Sequence, residues 1–424
     1  FNYIHFYQKH ATLEKTGSEL VDVLAITNIP LALVVSRQGD SFDIAFQGHS
    51  SFIEKHCLQL MSEHYLHYLQ QLARQHHIDQ RLTASQQHKV LVEHNQTERS
   101  CPQHDLIKWW YQSAEQYALR CAVVDEQQNL TYQQLNQASN QLAWHLKTLL
   151  PHATATQPTP LVAILLERNA QMLVAVLATL KVGAAYVPID PAYPQHRIRY
   201  MLDDSQAVLV LTQRSLLVQS EALQRLNVPI YCIGDEQQLA LPDQNPGLPA
   251  DQHRLANVIY TSGTTGKPKG VMIGQASIVN LVSAQHELLH MCKEDKVLQF
   301  ASFSFDAATW EIFATLLQGA TLVICPNSCK ENVGSLLNVL EQHQVSVATL
   351  PPALLTVMEH QPLPNLRLLI VAGEATPLAL MQRWSKGRSL VNGYGPTEST
   401  VCSTLHYFQD GDLATTIGKP LSNL

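Results

Sequence analysis

The chain has 424 residues, 46% of them hydrophobic and only 15% charged, with a formal net charge of −7. That length suits two or three domains with ample cores, and the acidic balance without any basic run excludes a nucleic-acid surface. No apolar run reaches membrane-spanning length and no signal peptide opens the chain, so the reading is a cytoplasmic protein with no membrane partner.

Along the chain, residues 1–50 alternate apolar and polar positions in short runs such as "SFDIAFQGH", which predicts strands. Residues 52–73 change period: Ile53, Cys57, Leu60, Met61, Tyr65, Tyr68, Leu69 and Leu72 fall on one helical face. His64 and His67 flank that face without a carboxylate partner, as a solvated helix edge does. The Gln-, His- and Ser-rich stretch that follows lacks a sustained apolar period and reads as a linker at 79–104.

From about residue 105 the pattern becomes β–α alternation. "PLVAILLE" is a buried strand, "NAQMLVAVLATLKVG" a helix closed by Gly183, and "AAYVPID" a returning strand. The cycle continues through "AVLVLT", "PIYCIG", "LANVIY", "KVLQF", "TLVIC", "VSVATL", "LRLLIVAG" and "SLVNGYG". Uninterrupted apolar strands between helices imply α/β architecture with parallel sheets covered on both faces, and the length suits two such layered sandwiches. The eight cysteines have no paired spacing; Cys325 and Cys329 lack a second pair to complete a metal site.

Three loops follow strands of this series, where doubly wound sheets bind ligands. "TSGTTGKPKG" after "LANVIY" gathers glycines with the hydroxyls of Thr261, Ser262, Thr264 and Thr265, a set suited to an anion, with Lys269 to supply charge. It is not a P-loop: Gly263 and Gly266 stand three apart, and Pro268 follows Lys267. "NGYGPTE" offers an amide in Asn392, a ring in Tyr394 for stacking a base, and a carboxylate in Glu398 suited to Mg²⁺. In "SFDAATWEIF", Asp306 opens a helix, either as an N-cap or first-turn carboxylate or as the partner of a substrate ammonium.

"YTSGTTGKPKG", "NGYGPTE", "LTYQQLN" and "LKVGAAYVPIDPAYP" together resemble signature motifs of the amino-acid adenylation domains of nonribosomal peptide synthetases, over roughly residues 105–424. Upstream, "FNYIHF", "TNIPLALVV" and the 52–73 helix resemble the end of a condensation domain, and "VLVEHNQTERSCP" the linker joining the two. The resemblance implies an adenylate-forming fold of two layered αβα subdomains at 105–424, preceded by an α+β condensation-domain tail at 1–78. It implies ATP-dependent activation of an amino acid as its aminoacyl-AMP, with ATP and Mg²⁺. It also implies partner carrier and condensation domains in the same multimodular protein, the carrier bearing phosphopantetheine.

Residue by residue, the resemblance assigns Thr261, Ser262, Gly263, Thr264, Thr265, Gly266, Lys269, Gly373, Asn392, Tyr394 and Thr397 to the nucleotide, and the Mg²⁺ contact to Glu398. Thr264, Lys269 and Glu398 are the catalytic candidates. Asp306 would bind the substrate ammonium. Ala307, Trp310, Thr349, Ile370, Ala372, Gly393, Val401 and Cys402 would wall the side-chain pocket. That apolar lining suits phenylalanine or a similar large side chain. The family's ribose-binding aspartate, hinge and lid lysine have no counterpart before Leu424, and both chain ends read as cuts in a longer protein. An acyl- or aryl-acid CoA ligase of the same superfamily is the alternative enzyme; a non-catalytic interaction module is the alternative of another class.

Overall fold

The computed structural model describes residues 31–38, 41–75, 82–101, 105–150, 158–234, 241–247, 251, 254–262, 267–359 and 361–424. Strands expected within residues 1–30, and the loop residues Gly263 to Gly266, lie outside these. The chain divides into two compact units after Gln96.

In the first unit, Leu31–Gln38 (β1) and Ser41–Gly48 (β2) form an antiparallel hairpin. The expected helix spans Lys55–Gln75. Cys57, Leu60, Met61, Tyr65 and Tyr68 of its apolar face line a shallow groove with Phe46. The stretch read as linker is not wholly irregular, since Ala84–Leu91 is helical. Its start was legible after all: Thr83 and Gln86 form a reciprocal capping box, which satisfies two end groups of a helix too short to show a period.

The second unit holds two sheets. Cys121–Val124 (β3) and Asn129–Thr131 (β4) begin one of them. The chain then builds the other from Leu161–Ile164 (β5), Ala185–Pro188 (β6), Leu209–Thr212 (β7), Ile230–Cys232 (β8), Leu255–Thr261 (β9) and Lys269–Gly274 (β10). It returns to the first with Lys296–Gln299 (β11), Thr321–Ile324 (β12), Val347–Leu350 (β13), Leu368–Ala372 (β14), Ser389–Tyr394 (β15), Thr404–Tyr407 (β16) and Lys419–Pro420 (β17). Among the described residues the orders are β10-β9-β6-β5-β7-β8 and β17-β16-β15-β14-β13-β11-β12-β3-β4. The central strands are parallel, as their continuous apolar runs predict; β4, β10, β16 and β17 pair antiparallel at the edges.

The two layers are not separate sandwiches side by side. One core cluster draws Val162, Ile164, Leu211 and Ile259 from the smaller sheet and Val123, Leu322 and Ile324 from the larger. It also takes in the helices Ala170–Lys181 and Asp306–Leu316. Lys181 is fully buried, and burial holds its pKa well below the usual lysine range. Its amine donates to Asn136 Oδ1 at 2.7 Å, Ser139 Oγ at 2.6 Å and Asn140 Oδ1 at 2.7 Å, so no donor is stranded. No helix among the described residues is long and apolar enough to cross a membrane.

The entry ends of the larger sheet's parallel strands are tied by a polar knot. Asp295, buried just before β11, accepts from Arg367 Nε at 2.8 Å, Ser346 Oγ at 2.7 Å and the Cys292 N–H at 2.9 Å. Burial pushes its carboxyl up, but these donors outweigh burial and hold it below the ordinary value. Asp295→Ala should therefore cost about 2–3 kcal/mol, within the range for bonds to a charged group and no more, because Arg367 stays partly hydrated and screened. Because the folded pKa is depressed, this contribution is full above the unfolded pKa and lost as pH falls through the folded one. Urea unfolding of wild type and variant between neutral and strongly acid pH checks both the size and the sign.

Candidate functional site

The described candidate residues lie on or just beyond strands of both sheets. β9 ends at Thr261, and β10 starts at Lys269 directly opposite it in register. The connecting loop is held at its base by the Tyr200 hydroxyl, which donates to the Pro268 carbonyl at 3.0 Å. Beside it, Tyr260 donates to Asp204 at 2.7 Å. Gly270 has to be glycine, since a Cβ there would lie 2.8 Å from Val258 Cγ1 and 3.3 Å from the Tyr260 ring. Ser262 and Lys269 are exposed, with the solvated, open geometry an anion-binding loop needs.

On the larger sheet, Asp306 follows β11, Thr349 lies in β13, Ile370 and Ala372 in β14, and Asn392, Gly393 and Tyr394 in β15. Thr349 pairs with Ile370, and Ala372 with Gly393. Side chains alternate with period two, so these four expected wall residues point from one sheet face. Trp310, Ile370 and Cys402 are buried in one apolar cluster, with Val401 and Leu405 packed against it. A Cβ on Gly393 would make ordinary van der Waals contacts with Leu405, Trp310 and Ala372 at 3.5–3.8 Å, so this glycine lies against the Trp310 and Ala372 faces. Ala307 is half-buried in the first turn of the Trp310 helix.

Asp306 does not cap that helix; Phe305 holds the cap position and Asp306 is the first helical residue. Its carboxylate accepts the Thr397 hydroxyl at 2.6 Å. Burial pushes the Asp306 carboxyl up and nearby Glu398 adds to this, against the lowering by Thr397 and backbone N–H groups. The turn Thr397–Ser399 packs against β10, so Thr397 and Glu398 stand between Asp306 and the strand that carries Lys269. Glu398 is exposed. Among the described residues no cluster of three His, Cys, Asp or Glu could cage an ion unaided. A lone exposed carboxylate on a turn that packs against β10 has the chemistry of a Mg²⁺ ligand, an ion usually shared between one or two carboxylates and phosphate oxygens.

Asn392 is buried and donates its amide to the Thr416 carbonyl at 3.0 Å, leaving one N–H and its oxygen for a ligand. Tyr394 is 54% exposed, a free ring face at the mouth of the site. Gly373 is also exposed, with φ of +88°. The Cys402 thiol approaches the Thr404 carbonyl at 3.2 Å, and burial pushes its pKa up to about 12. A cavity of about 480 Å³ behind the turn is bordered by Glu398 and Cys402 together with Cys101, Ser277, Asn280 and Leu421. The other expected pocket walls do not reach it, so it is a space apart from the apolar face described above.

Sequence reading missed the segment that braces the site. Gly395 abuts the chain after the turn, where a Cβ would fall 2.6 Å from Ser403 N and 2.7 Å from Cys402 Cα. Gly418 has φ of +88° and would bring a Cβ to 2.0 Å from the Leu405 carbonyl oxygen. Glycine in a "YGP" turn was a legible signal; the close approach of residues 402 and 403 was not. Gly395→Ala should shift the Thr397–Glu398 turn, at an overpacking cost of about 1–3 kcal/mol. Thermal unfolding together with nucleotide titration checks this; wild-type behaviour in both would mean the backbone yields freely there.

Residues 110–424 match the family model for AMP-binding enzymes. The chain is 40% identical over 349 residues to tyrocidine synthase 2 of Brevibacillus parabrevis, covering 81% of this chain and 9% of that protein. It is 38% identical over 418 residues to a linear gramicidin synthase of the same organism (96% and 8%), and 35% over 428 residues to bacitracin synthase 3 of Bacillus licheniformis (97% and 7%). The chain thus spans less than a tenth of the length of these relatives. Its fold is similar to the AMPPNP-bound nonribosomal peptide synthetase FmoA3, with TM-score 0.77 at 24% identity, covering 97% of this chain and 45% of that one. It is also similar to a four-domain nonribosomal peptide synthetase bound to AMP and glycine, with TM-score 0.75 at 22% identity over 93% of this chain and 29% of that one.

Proposed function

The chain belongs to the AMP-binding enzyme family, and on that premise we propose that it selects and activates an amino acid within a nonribosomal peptide synthetase. The observation that carries this reading is the Asp306–Thr397 bond of 2.6 Å. It joins a half-buried carboxylate, in the first turn of the helix that carries buried Trp310, to the turn that packs against β10. An acyl- or aryl-acid ligase has no need of a desolvated carboxylate there, since its substrate carries no ammonium.

In this reading the substrate carboxylate attacks the α-phosphorus of ATP. The bond from the α-phosphorus to its bridging oxygen breaks, pyrophosphate leaves, and aminoacyl-AMP remains. The protein contributes position and charge. Thr261, Ser262, Lys269 and the loop Gly263, Thr264, Thr265 and Gly266 accompany the phosphates as they separate. Thr397 adds a hydroxyl, while Gly373, Asn392 and Tyr394 take the adenine side. Glu398 would hold Mg²⁺, which when bound offsets charge developing on the phosphates. Asp306 receives the ammonium, and the faces of Trp310, Ile370, Ala372, Gly393 and Cys402, with Ala307, Thr349 and Val401, receive a large apolar side chain, phenylalanine first. The product passes to a phosphopantetheine thiol on a carrier domain of the same cytoplasmic protein, beside its condensation domain.

Pyrophosphate exchange by the full-length protein with each of the twenty amino acids tests the pocket. Phenylalanine should lead, with tyrosine or tryptophan behind it, since an apolar pocket rejects an added hydroxyl by only ~10²-fold. A charged or small preferred substrate would refute the assignment of the walls. Lys269→Ala and Glu398→Ala should each lower exchange ~10²–10³-fold with the fold intact, the usual loss for one transition-state contact. An unchanged rate in either variant removes that residue from the site.

The raised Asp306 pKa carries its own sign. Only the ionised carboxylate pairs with an ammonium, so the KM for the amino acid should rise as pH falls through the Asp306 pKa. Asp306→Asn should flatten that dependence, and a persisting rise in the variant would assign it to another group.

A further inference from the structure

Asp306 is only as well placed as the segment leading into its helix. That segment runs from Gln299, at the exit of β11, to Phe305, and three side chains from outside it hold its first half. Arg168, four residues beyond β5 of the smaller sheet, spreads its guanidinium over backbone carbonyls. One terminal nitrogen donates to Phe300 at 2.8 Å and Ala301 at 2.6 Å. The other reaches Gln299 at 3.4 Å and Cys325, at the exit of β12, at 3.3 Å. Glu311, five residues along the helix that Asp306 opens, accepts the Ala301 N–H at 3.1 Å and the Gln299 side-chain amide at 3.1 Å. Asp190, just beyond β6, accepts the Ser302 hydroxyl at 2.5 Å and lies 4.0 Å from the Lys330 ammonium.

The arrangement is costly for a merely structural loop. Glu311 is 1% exposed, and burial pushes its carboxyl up to about 8, although the backbone N–H groups and the Arg168 charge pull it down. Burial likewise lowers Arg168, while the Glu311 charge raises it. A desolvated guanidinium and a desolvated carboxyl are thus committed to one short stretch of chain. Its carbonyls would otherwise need water, and its one hydroxyl bonded outside the stretch, that of Ser302, goes to the smaller sheet. Arg168 and Asp190 both sit at strand exits of the sheet that also carries the phosphate loop.

We propose that Arg168, Asp190 and Glu311 are positioning residues that fix the Asp306 carboxylate relative to the phosphate loop, and so set how strongly the site distinguishes an amino acid from its des-amino counterpart. The inference rests on the reading of Asp306 as the ammonium partner. It has a selective consequence. Four of the walls meant for the substrate side chain, Thr349, Ile370, Ala372 and Gly393, stand on β13, β14 and β15 and owe nothing to the clamped segment. Loosening the clamp therefore weakens the ammonium contact and leaves those four apolar contacts in place. A charge-assisted bond is short and directional, so it suffers most from a small displacement.

The test is pyrophosphate exchange by the full-length protein, with phenylalanine and 3-phenylpropanoate as substrates, in wild type, Ser302→Ala, Arg168→Lys and Asp306→Ala. If the panel of amino acids selects another substrate, that amino acid and its des-amino acid replace the pair. Lysine keeps the charge of Arg168 but cannot span several carbonyls. The ratio of kcat/KM for the amino acid over the des-amino acid should fall ~10-fold in Ser302→Ala and ~10²-fold in Arg168→Lys, the scale of a displacement near 1 Å. The fall should come through the KM for the amino acid, with the KM for ATP unmoved. Equal losses on both substrates, or an unchanged ratio, would overturn the clamp. Should Arg168→Lys not fold, Ser302→Ala decides, since it deletes one hydroxyl and leaves the packing. Asp306→Ala separates the two ideas: if it keeps the wild-type ratio, the reading of Asp306 fails. If it collapses the ratio while the clamp variants keep it, only the clamp fails.

Discussion

The second unit depends on a helix with almost no solvent face. Every residue from Ala308 to Leu316 is buried, so each polar group on that stretch needs an internal partner. Thr309 receives the Asn257 amide of β9 at 3.1 Å and lies 3.4 Å from the Tyr186 hydroxyl of β6. Glu311 turns towards the exit of β11. Thr315 donates back to the Glu311 carbonyl at 2.5 Å. The polar residues of one helix thereby bind both sheets, and the helix cannot shift without unmaking bonds that water cannot replace. Asp306 stands at its exposed end, where the same rigidity holds it in place.

The larger sheet divides its labour between its two ends. At the entry end, Asp295, Arg367 and Ser346 close a charged knot among three strand starts, far along the strands from any expected site residue. At the exit end, the polar side chains are left partly unsatisfied or exposed: Glu398 free in solvent, Tyr394 open, Asn392 with one donor unused. A parallel sheet makes this separation natural, because every central strand enters on one side and leaves on the other.

The turn between these ends stores backbone strain. Thr400 and Val401 both have positive φ, +63° and +71°, and the Cys402 N–H donates to the Thr400 carbonyl across Val401 at 2.8 Å. A β-branched residue in that region is unfavourable by roughly 1–3 kcal/mol and persists only when its surroundings over-determine it. Here the constraints are Gly395 against residues 402 and 403, the Ser403 N–H donating to the Tyr394 carbonyl at 2.8 Å, and the contact of Ser399 with Ser403 at 2.6 Å. The strained pair links the Thr397–Glu398 turn to Val401 and Cys402 through one tightly bent connection.

Local chemistry made much of this legible before any coordinates. Continuous apolar runs identified the central strands because a strand buried on both faces has no polar side to show. The glycine- and hydroxyl-rich loop, Asp306 and "NGYGPTE" stood out because they are chemically odd for their places, and strand exits are where such residues collect. The short strand β3 and the edge strands β4, β10, β16 and β17 were missed, being brief or half-exposed with no period to read. The capped helix at Ala84–Leu91 was missed because its signal lies in two end residues. What only the tertiary structure decided is which distant residues meet: Arg168 with the carbonyls of Phe300 and Ala301, Asp190 with Ser302, and Asp306 with Thr397. Sequence carries the chemistry of each side chain and the period of its element. Contacts between residues a hundred positions apart come from how two sheets close on a shared helical layer, and no local pattern encodes that closure.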